Sequence, residues 1–203
     1  SLGGLYQAWL ALQAGLRAVV LMVAGFGLFQ AGIRSLTILN AAGMPAATVC
    51  HRTARIGDAQ HGMTHGRLSH VNQRAADMGL APGQSSAEAL ALLNAHATAF
   101  TPTGSFNLTH EHREVVTLDA CIPVVLLDSV SLLLPQDAGA LVVTASHGAM
   151  FVAETGVAFQ PAVKAILFND ANRGVDDAGV SRLSALDAQG IPGGCVSAWT
   201  AEI

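Results

Sequence analysis

Charge is scarce in this sequence. Only 12% of its 203 residues are Asp, Glu, Lys or Arg, and the 10 Lys and Arg are outnumbered by 14 Asp and Glu. No positive field exists to hold a phosphate backbone, which excludes nucleic acid as a partner. Aromatic residues make up only 5%, so the stacking platforms that single strands need are missing as well. The cysteines are Cys50, Cys121 and Cys195, an odd number without short metal-type spacing. They form neither a disulfide scaffold nor a zinc knuckle. Reduced thiols are expected, and with them a cytoplasmic location. Long hydrophobic runs are absent. The longest, Ala18 to Phe29, has twelve residues, short of the roughly 20 that cross a bilayer. Ser1–Ala8 carries no basic residue, so neither a signal peptide nor a membrane partner is expected.

What the chain does contain is apolar residues, 51% of the total. That composition excludes disorder and provides for a sizeable core. Short Val-, Ile- and Leu-rich runs alternate with helical patterns. Examples are Arg17–Val23, Ala140–Ala145, Lys164–Asn169 and Gly194–Ser197. Uninterrupted apolar strands of this kind suit a sheet covered on both faces. The expected class is α/β, with a mostly parallel sheet flanked by helices. Helices are expected over Leu2–Ala14, Gly66–Met78, Ser86–Ala97 and Asp176–Gln189. The chain reads as a single domain, 1–203, with two α/β halves, 1–99 and 114–203. A Thr-, Pro- and Asn-rich loop or linker, 100–113, separates them.

The halves contain an internal repeat. Shifted by 147 residues, 17–56 lies on 164–203 without a gap, with 14 identities in 40 positions. Roughly 3 or 4 would arise by chance at ordinary composition. The identities include Gly27/Gly174, Leu36/Leu183, Leu39/Leu186, Gly43/Gly190, Pro45/Pro192 and Val49/Val196. With a small gap, Ser1–Gly4 extends the match onto Ser146–Ala149. The expected architecture is therefore two pseudo-symmetric βα repeats, 1–56 and 146–203.

A repeat also serves as its own control. Asn169-Asp170 stands where the first copy has Met22-Val23, and His147 where it has Leu2. The reverse holds later, where Arg55 opposes Glu202. Polar residues at strand ends, each in one copy only, predict one asymmetric site between the repeats. His147 is the candidate general acid or base, because its ordinary pKa lies near 6.5. Asp170 and Asp128 are its candidate partners. Ser146 offers a hydroxyl, although no Gly-x-Ser-x-Gly elbow surrounds it. Arg55, Asp58 and Asn169 are candidate substrate-binding groups. Gly148 permits close backbone approach and an amide for an anion. Asp176-Asp177 reads better as helix capping.

Two histidine groups carry the metal alternative. Asp58, His61 and His65 combine an i, i+4 pair with a carboxylate, and His110-Glu111-His112 forms a second cluster. Neither matches a metal fingerprint, and no nucleotide-binding glycine motif follows a strand. No cofactor is expected, with a divalent metal as the minority reading. The sequence thus predicts an enzyme of hydrolase or lyase type acting on a small polar, anionic metabolite. The alternative is a non-catalytic oligomeric or small-molecule-binding subunit of an assembly. A homo-oligomer is expected on either reading, because each repeat lacks a different end and an unfinished sheet edge invites pairing.

Overall fold

The computed structural model describes residues 4–23, 25, 27–96, 111–118, 122–151 and 156–200. Most of the expected linker, Cys121 and His110 lie outside them. The described residues form two mixed sheets with helices, in place of the one mostly parallel sheet expected. The first half gives α1 (Leu5–Gln13), β1 (Val19–Met22), α2 (Arg34–Ala42), β2 (Ala46–Val49), α3 (Ala59–His65), β3 (Leu68–Val71), α4 (Gln73–Ala76) and α5 (Ser86–His96). The second gives β4 (Arg113–Thr117), β5 (Pro123–Leu127), β6 (Leu141–His147), β7 (Ala165–Asn169), α6 (Arg182–Asp187) and β8 (Gly193–Val196). None of the helices is long and apolar enough to cross a membrane among the described residues.

The small sheet has the order β1-β2-β3, parallel and then antiparallel. In the large sheet the order is β4-β5-β6-β7-β8, with only the β4–β5 pair antiparallel. The β4–β5 connection is too short for a parallel crossover, which needs a dozen or more residues. Every residue of β2 is buried, and its one polar side chain, Thr48, has a partner in the Ser69 hydroxyl at 2.9 Å. Elements recur near the 147-residue spacing: β1 with β7, β2 with β8, and the 3-10 turn Leu28–Ile33 with Val175–Val180.

Three cores follow from this pattern. Ala8, Ala11 and Leu12 of α1 pack on Leu36 and Leu39 of α2. Val49, Leu68, Ala75, Ala89 and Leu93 fill the space among β2, β3, α4 and α5. In the large sheet, Val125, Val142, Ile166 and Phe168 pack with Leu186 and Ile191.

The helix expected over Gly66–Met78 is not continuous. Gly66 ends α3, β3 follows, and the short α4 comes after it. Asn72 decides the break. Its buried Oδ1 accepts the Ala46 and Ala75 amides, both at 3.0 Å, and its Nδ2 donates to the Met44 carbonyl at 2.8 Å. That side chain caps α4 and fastens the chain to β2 in one arrangement. The helix expected from Asp176 also begins later. Left-handed φ values at Asp176 and Asp177 keep Val175–Val180 a kinked 3-10 segment before α6.

The halves meet where carboxyl-end loops of the small sheet face those of the large one. The Val175 amide donates to the His51 carbonyl at 3.1 Å. Ile56 packs among Ala149, Ala171 and Ala178. Gly57 has φ +84°, and a Cβ there would stand 2.9 Å from the Met150 carbonyl oxygen.

Candidate functional site

An opening with several polar groups in its lining lies beyond the carboxyl ends of β5 and β6. It is a cavity of about 470 Å³, within the range of small-molecule sites. Both halves line it: Tyr6 and Gln7 come from α1, Glu111 from the end of the linker, and Ser129, Ser131, Ser146, His147 and Arg182 from the second half.

His147 ends β6, and its ring is fixed on two sides. Nδ1 accepts the Ala149 amide at 3.2 Å, and the ring meets Phe151 edge-on with centroids 5.7 Å apart. An amide can donate only to an unprotonated ring nitrogen, so the neutral ring carries its proton on Nε2. Burial pushes the His147 pKa down to about 4, and the positive charge of Arg182 adds to the effect. At neutral pH the ring is therefore uncharged, and Nε2–H is a hydrogen-bond donor. Arg182, at the start of α6, lies over the Phe168 ring at 5.9 Å and donates to the Ala149 carbonyl at 3.2 Å. Its charge is thereby held at the cavity wall.

Ser146 also lines the cavity. Its Oγ accepts the Val130 amide at 2.9 Å, which anchors the segment after β5 to β6. Gly148 lies just beyond it. A side chain there would strike the Cys195 Sγ at 2.8 Å, and the Gly148 amide donates to the Asn169 carbonyl at 2.8 Å. The glycine serves close packing of β6 on its neighbours.

The other expected residues are spread more widely. Asn169 pairs with His147 across β6 and β7 and is buried; its Oδ1 accepts the Ala171 amide at 2.7 Å. Asp170 faces a separate pocket at the seam, together with His51, Arg52 and Trp199. Its Oδ1 accepts both the Asn172 and the Ala198 amides at 2.9 Å. These carboxylate and amide contacts hold the left-handed turn at Ala171, Asn172 and Arg173. Arg55 pairs with Asp176 at 3.4 Å, with both side chains largely exposed. Asp58 caps α3, its Oδ1 accepting the His61 amide at 2.9 Å. Asp128 is exposed and accepts the amide of His112, the residue before β4, at 2.6 Å. Among the eight residues, only Ser146 and His147 line the cavity.

The burial that lowers His147 acts on other groups too. His51 is lowered by burial and by Arg52, and His70 by burial alone. The Cys195 thiol is pushed up to about 11 by burial and by Asp170, which keeps it protonated and unreactive. His61 and His65 lie side by side on α3 with ring centroids 4.3 Å apart. Among the described residues no three His, Cys, Asp or Glu side chains converge as metal ligands.

Sequence reasoning missed Arg182 and undervalued Glu111. Arg182 was legible in the repeat: it stands 147 residues after Ser35, which is fully buried. A cation replacing a buried hydroxyl is the same kind of mismatch that singled out His147. Glu111 was visible only as part of a histidine cluster, and its partners across the cavity are far away in sequence. No protein-family model, curated protein or solved structure matches this chain.

Proposed function

We propose that the protein is an enzyme acting on a small anionic metabolite by lyase or hydrolase chemistry. The observation that carries this reading is one cavity lined by a neutral, oriented histidine, an arginine and a carboxylate. Arg182 binds a substrate carboxylate, as a guanidinium does with two parallel hydrogen bonds. Glu111 takes a proton, either from carbon beside an acid or carbonyl group or from an attacking water. His147 donates its Nε2–H to the oxygen on which negative charge develops. A neutral imidazole suits that role, because it donates without giving up its proton. The site draws on α1 and on residues from 111 onward. An odd number of cysteines without scaffold spacing suits a reducing, cytoplasmic setting.

The test is a panel of C3–C6 carboxylates bearing hydroxyl, keto or amide groups, scored by thermal shift and product formation. At least one should raise Tm for the wild type and not for Arg182→Met. Glu111→Gln should cut turnover by about 100-fold or more while keeping binding. If no carboxylate binds, or Arg182→Met binds equally well, the reading fails.

A second feature favours self-association. Val143, Leu167 and Val196 are 39%, 43% and 39% exposed. The strand registers set them on one face of the large sheet. We infer that this aliphatic face packs on a second copy. Light scattering at micromolar concentration should give a dimer or larger, and Leu167→Asp should give a monomer.

A further inference from the structure

A second opening of about 360 Å³ lies in the first half and has a different chemistry. Its walls are Val20 and Met22 of β1, Val49 of β2, Met63 of α3 and Leu90 of α5. Phe151 closes one side. Met63, Leu90 and Phe151 are 44%, 40% and 39% exposed, so the apolar lining continues to the surface. Two methionines make such a lining adaptable. Glycine at 62 lets α3 come close, since a Cβ there would stand 3.2 Å from the Met22 methyl.

One polar group breaks this lining. Ser86, the first residue of α5, is 2% exposed and lines the groove. Its Oγ is buried and bonds none of the described residues. A buried hydroxyl without a partner costs stability, and proteins normally satisfy or replace it. The capping work at this helix start is done by Ser85 instead. Ser85 exchanges hydrogen bonds with Glu88 through its amide at 3.0 Å and its Oγ at 2.7 Å. The Ser86 hydroxyl is therefore left over from the helix. Among the described residues of the lining only Asp58 is charged, and its negative charge repels an anionic head group.

We propose that this groove binds an uncharged, mainly apolar molecule with one hydroxyl or carbonyl, which pairs with the Ser86 Oγ. The groove shares Phe151 with the cavity of Arg182 but none of the polar groups invoked there, so it does not depend on the function proposed for that cavity. N-phenyl-1-naphthylamine, a neutral fluorescent probe, tests it directly. Its emission should rise on binding to the wild type. 1-Octanol should displace it, and octanoate should do so at least about tenfold less well. Leu90→Arg, at an exposed position, should abolish the rise. Ser86→Ala should retain the probe and weaken 1-octanol about 3- to 10-fold, the range for one neutral hydrogen bond. A merely structural Ser86 predicts a more stable Ser86→Ala protein with unchanged 1-octanol affinity. That result, or equal emission with Leu90→Arg, would overturn the proposal. Unchanged carboxylate binding in Leu90→Arg would show that the two sites fail or stand independently.

Discussion

At the scale of single residues, His147 governs the response to acid. Its folded pKa of about 4 lies below the ordinary value of 6.5. Above pH 6.5 the ring is neutral in both folded and unfolded chains and adds no pH dependence. As the pH falls from 6.5 to 4, the unfolded chain takes up the proton first, and stability is lost. The full shift corresponds to about 3 kcal/mol. His51 and His70 are lowered too and contribute in the same direction. Denaturant unfolding between pH 7 and pH 4 should therefore show falling stability, with a clearly shallower fall in His147→Gln. An unchanged slope in that variant would mean that the ring titrates normally. The sequence revealed His147 through its mismatch with Leu2. It did not reveal the depressed pKa, because the desolvation comes from tertiary burial that no local pattern encodes.

At the scale of elements, the side chain of Asp58 illustrates why a polar residue in a turn is ambiguous. The spacing between Arg55 and Asp58 suggested a ligand grip, whereas the carboxylate caps α3. Asp58→Ala should cost about 1 kcal/mol of unfolding free energy. Asp58→Asn should recover most of it, because the amide oxygen still accepts from His61. Urea midpoints of the three proteins decide this. Strands β6 and β7 were legible because Val-, Ile- and Leu-rich runs have few alternatives, and β2 and β8 because the repeat sets each after a Gly and a Pro, Gly43 and Pro45 or Gly190 and Pro192. The break at Asn72 was not, since Val71 and Asn72 suit either a strand end or a helix. The contact that decides it lies 26 residues back, at Ala46.

At the scale of the whole molecule, small residues, the Val175–His51 backbone hydrogen bond and the Arg55–Asp176 ion pair join the halves among the described residues. Gly57→Ala places a methyl against the Met150 carbonyl and forces a left-handed residue to carry a side chain. It should lower stability by about 1–3 kcal/mol. The loss should show as faster amide exchange at Val175, whose bond to His51 crosses the seam. Exchange confined to global unfolding would argue against a separable seam. The repeat suggested that the two halves cooperate, but sequence comparison gives no distances. It therefore could not say that Asp170 and His147 would open into different pockets. Phe151 connects these scales. Its ring stands edge-on to His147 on one side and closes the apolar groove on the other. Were a molecule in the groove to push this ring aside, the affinity of whatever sits beside His147 would change with it. Linkage makes the effect reciprocal, so each occupant alters the other's dissociation constant by the same factor. A metabolite in the polar cavity would then set how strongly the chain holds a greasy one, without the two ever touching.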